Sequence, residues 1–196
     1  MAKNGIAEGM PIDLSTHPTK CDHCALRKHT CASVPKTCEG IKTTKRLGRV
    51  YVDLCGPMAV TSHAGNVYSM NLTDDFSGYV WSVPLHSKAT AFQALQIWHN
   101  AVTVQSGKTL QILISDNGKL ASNSMCEWCQ LEGIEHQLIA PYMSVHNGRA
   151  EHLHHTILNK ARTMHLACNA PGFPWDEFCA TATYLTNLTA AKANSG

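Results

Sequence analysis

The stretch Arg49-Val50-Tyr51-Val52-Asp53-Leu54-Cys55-Gly56-Pro57 decides how the rest of the chain is read. Val50, Val52 and Leu54 alternate with Tyr51, Asp53 and Cys55, a period of two that belongs to a half-buried β-strand, and Gly56-Pro57 ends it. The strand thus carries a carboxylate near its end. Downstream, residues 67–73 and 79–83 are rich in Val, Tyr, Trp and Thr, and Asp74-Asp75-Phe76-Ser77-Gly78 between them has the residues of a hairpin turn. Three antiparallel strands are expected. Asp74 and Asp75 are neighbours on a strand, so their side chains point to opposite faces, and the turn gives them a structural role.

A long amphipathic helix follows. Ser87 and Thr90 are candidate N-caps, Gln93 completes a capping box with Thr90, and Phe92, Leu95, Trp98 and Val102 recur at helical spacing until Gly107 stops the run. Residues 110–115 form a short apolar strand that delivers Asp116 into the loop Asp116-Asn117-Gly118. A short helix over 124–131, a break at Gly133, a strand over 135–139, a loop from Pro141 to Gly148, a helix to Ala167 and a last helix over 175–187 complete the order β-β-β-α-β-α-β-α-α. On the penultimate helix Leu153, Ile157, Ala161 and Met164 make the core stripe, and Glu151, His155 and Arg162 line a different face.

Residues 1–48 read differently. They hold Pro11, Pro18 and Pro35, four of the nine cysteines and little apolar periodicity, so they are expected to form a basic Cys/His-containing appendage to a single domain over 49–196. Lys plus Arg, 16, against Asp plus Glu, 14, leaves a net charge of +2, which excludes the strongly basic balance that would by itself mark a nucleic-acid binder. The 12 histidines make the charge depend on pH. An odd number of cysteines and no apolar leader after Met1 point away from secretion, to free thiols in the nucleus or cytoplasm. The longest uncharged stretch, 89–107, contains Gln93, Gln96, His99, Asn100 and Gln105, so no membrane span is expected.

Two acids on separate strand ends and a third near the start of a helix are what a divalent-metal phosphoryl-transfer site requires, because hard oxygen ligands must converge on one or two ions. The words around those acids are more specific. Asp53-Leu54-Cys55-Gly56-Pro57-Met58, Asp74-Asp75-Phe76-Ser77, Ser115-Asp116-Asn117-Gly118 and Asn147-Gly148-Arg149-Ala150-Glu151, in that order, closely resemble the integrase catalytic core of copia-type retrotransposons. The resemblance runs from about Met10 to the end. It includes Cys21-Asp22-His23-Cys24 with Lys28, the Ala161-Arg162-Thr163-Met164 segment, and Trp175, Tyr184, Leu185 and Asn187.

The resemblance implies an α/β fold like that of ribonuclease H, a mixed five-stranded sheet of three antiparallel and then parallel strands flanked by helices. It also implies a catalytic triad at Asp53, Asp116 and Glu151 holding two Mg²⁺ or Mn²⁺ ions, 3′-end trimming of the element's DNA, and attack of the exposed 3′ hydroxyl on target DNA. Asn147, Arg149, His155, Lys160 and Arg162 are the candidate nucleic-acid contacts, with DNA as the expected ligand, RNA as an alternative, and a homo-oligomer as the expected assembly. Cys21 and Cys24 have the spacing of two zinc ligands and resemble half of the family's zinc module, so a partial Zn²⁺ site is the matching expectation.

Two departures from the family stand out. One residue is missing after Asp116-Asn117-Gly118, and after Glu151 the chain reads His152-Leu153-His154-His155-Thr156 where the family tends to carry two arginines. Histidine is mostly neutral at pH 7, so DNA affinity is expected to be lower and acid-dependent. A second reading therefore stays open beside the enzyme: a non-catalytic nucleic-acid-binding remnant that keeps the fold. Cys126 and Cys129 repeat the CxxC spacing but fall on a helix, where both are expected to pack inward.

Overall fold

The structure is a computed structural model that describes residues 43–116, 120–139, 144–172 and 174–189, with the backbone alone at 139 and 144–152. The expected element order is present: β1 (Arg49–Cys55), β2 (Tyr68–Asp74), β3 (Val80–Leu85), α1 (Ala91–Ser106), β4 (Ile112–Asp116), α2 (Asn123–Glu132), β5 (Glu135–Ile139), α3 (Ser144–Ala167) and α4 (Trp175–Leu188). The five strands form one mixed sheet in the order β3-β2-β1-β4-β5. β1, β2 and β3 pair antiparallel, and β4 and β5 join parallel to β1.

Alternation along the strands sorts the side chains onto two faces. Val50 and Val52 of β1, Met70 and Leu72 of β2 and Leu113 of β4 point to one face, where α1 and α2 add Leu95, Trp98, Val102, Met125 and Trp128 to a single dry cluster. On the other face a smaller cluster joins Val80 to Ile157 and Ala161 of α3 and Cys179 and Ala182 of α4. Leu153 and Met164 pack against it, as the core stripe of α3 requires. Residues 43–48 lie on the hairpin, with Leu47 buried in the dry cluster.

Asp74 and Asp75 build the corner. Asp74 accepts hydrogen bonds from the Leu47 amide at 2.9 Å, the Ser77 amide at 2.9 Å and the Ser77 hydroxyl at 2.5 Å. Asp75 accepts from the Thr43 amide at 3.0 Å and pairs with Arg49 at 3.7 Å. Strand β3 lies at the sheet edge, and Asn187 of α4 covers it: its Oδ1 accepts from the Val80 amide at 2.9 Å and its Nδ2 donates to the Val80 carbonyl at 2.7 Å. Those backbone groups would otherwise be open to another strand.

Three local expectations are corrected. Thr90 is helical and does not cap α1; a 3₁₀ turn, Lys88–Thr90, leads in, and the Thr90 hydroxyl donates to the Ser87 carbonyl at 2.7 Å. A hydroxyl committed to the preceding turn is not free to bond the next one. The cap that forms is at α2, where Ser122 accepts from the Met125 amide at 3.2 Å. Helix α3 begins at Ser144 and runs through Gly148; one internal glycine costs only about 1 kcal/mol, which packing of the later turns can offset. Of the CxxC pair on α2, Cys129 is buried and Cys126 exposed, because three residues turn a helix by about 300°, enough to move one thiol off the covered stripe.

Candidate metal and nucleic-acid site

Asp53 occupies the face of β1 opposite Val52 and Leu54, half-buried, and lies in register with Asn71 of the antiparallel strand β2. On its other side Val52 pairs with Ser115 of β4. One step further along these parallel strands stand Asp53 and Asp116, on neighbouring strands about 4.8 Å apart and with side chains on the same face. Asp116 is exposed at the end of β4. Period-two alternation thus brings together two carboxylates 63 positions apart in the sequence.

Helix α3 crosses that same face. His154 is buried, 9% exposed, and its Nδ1 lies 2.5 Å from Nδ2 of Asn71. The Asn71 Oδ1 accepts from the Ser69 hydroxyl at 3.3 Å, which lies 3.1 Å from the Ser82 hydroxyl. Polar side chains therefore run from β3 through β2 to α3 beside Asp53. Burial pushes the His154 pKa below the ordinary histidine value, with the Asp53 charge pulling it back up and His155 pushing it down again. Two residues beyond Asp53, burial and then the Asp53 charge raise the Cys55 thiol, while a hydrogen bond from the Gly56 backbone and then Arg162 and Lys88 draw it down.

The expected site residues divide as follows. Asp53 and Asp116 share a face, and position 151 stands on α3 one turn before His154; the Glu151 side chain lies outside the described residues, as do those of Asn147 and Arg149. His155 and Arg162 are exposed. The Lys160 Nζ donates to the Thr186 hydroxyl of α4 at 2.9 Å, and burial lowers its pKa. Cys21, Cys24 and the appendage up to residue 42 lie outside the described residues, as does Asn117-Gly118. Among the described residues no group of three His, Cys, Asp or Glu side chains is placed to hold a metal, and no helix is long and apolar enough to cross a membrane.

Asn71 and His154 were not foreseen. Their signal was present in β2, where Ser69, Asn71 and Thr73 alternate with Met70 and Leu72, and all five are buried. A strand that is buried on both faces yet polar on one must find hydrogen-bond partners from whatever covers it.

Comparison with known proteins bears on the family and the fold. The sequence pattern of the family described as Integrase core domain matches residues 43–144, more than half of the chain. The retrovirus-related Pol polyprotein from transposon TNT 1-94 of Nicotiana tabacum is 36% identical over 168 residues, 85% of this chain. The chain spans 12% of that polyprotein. Among solved structures, the simian T-cell lymphotropic virus intasome in complex with the PP2A regulatory subunit B56 gamma matches with a TM-score of 0.60 and 18% identity, over 82% of this chain and 55% of that one. The HTLV-2 integrase catalytic core domain in complex with magnesium, in its dimeric form, matches with a TM-score of 0.56 and 18% identity, over 76% of this chain and 93% of that one. The mixed five-stranded sheet flanked by helices is thus the fold of retroviral integrase cores.

Proposed function

The chain belongs to the integrase core domain family, and from that premise we propose that it is the catalytic core of a copia-type retrotransposon integrase, a metal-dependent polynucleotidyl transferase acting on DNA inside the cell. The observation that carries the reading is the shared face: Asp53 and Asp116 follow directly on the Val52–Ser115 pair of adjacent parallel strands, and α3, which carries position 151, is tied to that face through His154 and Asn71. Hard oxygen donors on neighbouring strands fit Mg²⁺ or Mn²⁺, whose preferred ligands are carboxylates. Asp53, Asp116 and Glu151 would hold the ions.

When bound, two such ions lower the pKa of a nucleophilic oxygen and neutralise charge on the leaving oxygen of an in-line displacement. The chain's own residues hold and orient. Asp53 and Asp116 are fixed by strand register, whereas His155 and Arg162, exposed on α3, would meet the phosphate backbone, with Arg162 as the permanent cation of the two. In trimming a water oxygen, and in joining the 3′ hydroxyl oxygen, forms the new P–O bond and loses its proton, while the bond to the leaving 3′ oxygen breaks and that oxygen takes a proton up. No covalent enzyme intermediate is needed, and the chain's part is positioning and charge neutralisation.

An oligonucleotide duplex bearing an element end, incubated with the chain in Mn²⁺, tests this. Nicking near the 3′ end, or joining to a second duplex, is expected, and Asp116→Asn should abolish both while leaving the retention of DNA on a filter unchanged. A second reading is favoured by one observation: Lys160, on the helix of Glu151, has its ammonium engaged by Thr186. A non-catalytic binder would retain the duplex, release no product in either metal, and show no difference between wild type and Asp116→Asn.

A further inference from the structure

Helix α3 is anchored to the sheet in two ways. Leu153, Ile157, Leu158, Ala161 and Met164 pack into the small apolar cluster with Val80, Cys179 and Ala182. Beside Leu153, towards its N-terminal end, stands a polar tie, the 2.5 Å contact between Asn71 Nδ2 and His154 Nδ1. Both partners are shut away from water, Asn71 at 6% exposure and His154 at 9%.

The Asn71 carbonyl oxygen already accepts from Ser69, which leaves the amide nitrogen facing the imidazole. With the amide nitrogen assigned to that place it donates and Nδ1 accepts, the arrangement of a neutral ring that carries its proton on Nε2. Asn71 lies in register with Asp53, and His154 stands one helical turn after position 151. The pair therefore joins the strand position beside one proposed ligand to the helix turn beside another.

We infer that Asn71 and His154 are a positioning pair, fixing the early turns of α3 against β1 and β2 and thereby setting where position 151 stands relative to Asp53. This rests on the proposed function for its consequence, though not for its geometry. Neither side chain is a catalytic residue; each acts through the residues it places. Groups that orient metal ligands are worth about 10–100-fold in affinity or activity when removed, and a misplacement of about 1 Å at a reacting centre can cost about 100-fold.

The test compares wild type with His154→Leu, which keeps bulk and loses the acceptor, and His154→Gln, which restores a neutral acceptor. Asn71→Ser serves as a second variant should His154→Leu fail to fold. Amide hydrogen exchange is read over 144–153 against 157–164, Mn²⁺ affinity is titrated, and kcat and KM for the duplex are separated. The inference requires exchange over 144–153 to rise at least about tenfold in His154→Leu with 157–164 unchanged, and Mn²⁺ affinity and kcat to fall about 10–100-fold at a nearly constant KM. His154→Gln should recover most of each loss. Exchange and Mn²⁺ affinity within about twofold of wild type in His154→Leu would overturn it, whatever the catalytic result. A wild-type chain that neither binds Mn²⁺ nor nicks DNA sinks the proposed function instead, and exchange then decides the pair on its own.

Discussion

The two faces of the sheet are built from the same strands and do different work. Towards α1 and α2 the strands show Val50, Leu72, Met70 and Leu113, each fully buried, and the cluster they join is almost wholly apolar. On the opposite face they show Asp53, Ser69, Asn71 and Thr73, together with Tyr51 and Ile114 in a small cluster of their own and Val80 as the strand member of another under α3 and α4. Hydrophobic burial scales with area, so the first face supplies most of the stability. The second adds to its smaller apolar clusters a set of buried hydrogen bonds, which contribute little net energy but are costly to leave unmade. A strand with period two can therefore hold a fold together on one side and hold charged groups in place on the other.

The largest predicted effect lies on the dry face. Leu72 is fully buried, and Leu72→Ala should remove about 2–5 kcal/mol of stability through lost transfer energy and the cavity left behind. Urea unfolding followed by tryptophan fluorescence measures it. A loss under about 1 kcal/mol would mean that the two faces share the load evenly, and the contrast drawn between them would fail.

Next comes the hairpin corner. Asp74→Ala leaves the Leu47 and Ser77 donors without their acceptor in a buried place, for an expected loss of about 2–3 kcal/mol in the same experiment. Asp53→Asn is its counterpart on the polar face: a half-buried carboxylate replaced by its isostere, with stability changed by about 0.5 kcal/mol or less and the proposed Mn²⁺-dependent nicking lost. An Asp53→Asn chain as unstable as Asp74→Ala would make Asp53 a structural acid like its neighbour in the hairpin.

The same division explains what is legible in the sequence. Dry-face positions announce themselves by periodicity, and Phe92, Leu95, Trp98 and Val102 on α1 stand against the sheet as their spacing requires. Asp53 and Asp116 were legible too, because strand ends are marked by Gly-Pro and Asn-Gly. Asn71 and His154 were not: a polar residue reads as solvent-facing until a helix from elsewhere in the chain covers it, and no local pattern states that α3 will do so. Lys160 shows the converse. Its place on α3 reads as a free cation, but α4 packs alongside and Thr186 takes its ammonium. The CxxC of α2 fails for a similar reason, since the spacing that brings two thiols near one another does not bring both under the same cover.

The smallest effect is a pH dependence, and it asks whether acid sensitivity belongs to the polar face alone. His136 of β5 pairs with Leu113, so it lies on the dry side, where its Nε2 is 2.8 Å from the Ser115 hydroxyl. Burial lowers its pKa below the ordinary value of 6.5, and burial lowers that of His154 on the opposite face. Below that value the unfolded chain binds protons that the folded one refuses, so the contribution of each is complete above about pH 6.5 and is lost as the pH falls towards its folded-state pKa. Between about pH 7.5 and about pH 5 the melting temperature should therefore drop, and His136→Gln and His154→Gln should each flatten the slope by no more than about 3 °C. Flattening by His154→Gln alone would confine proton sensitivity to the face that carries the acids. Flattening by both would show that one half-buried imidazole at the rim of the dry face, hydrogen-bonded to the residue just before Asp116, gives that face an acid sensitivity of its own.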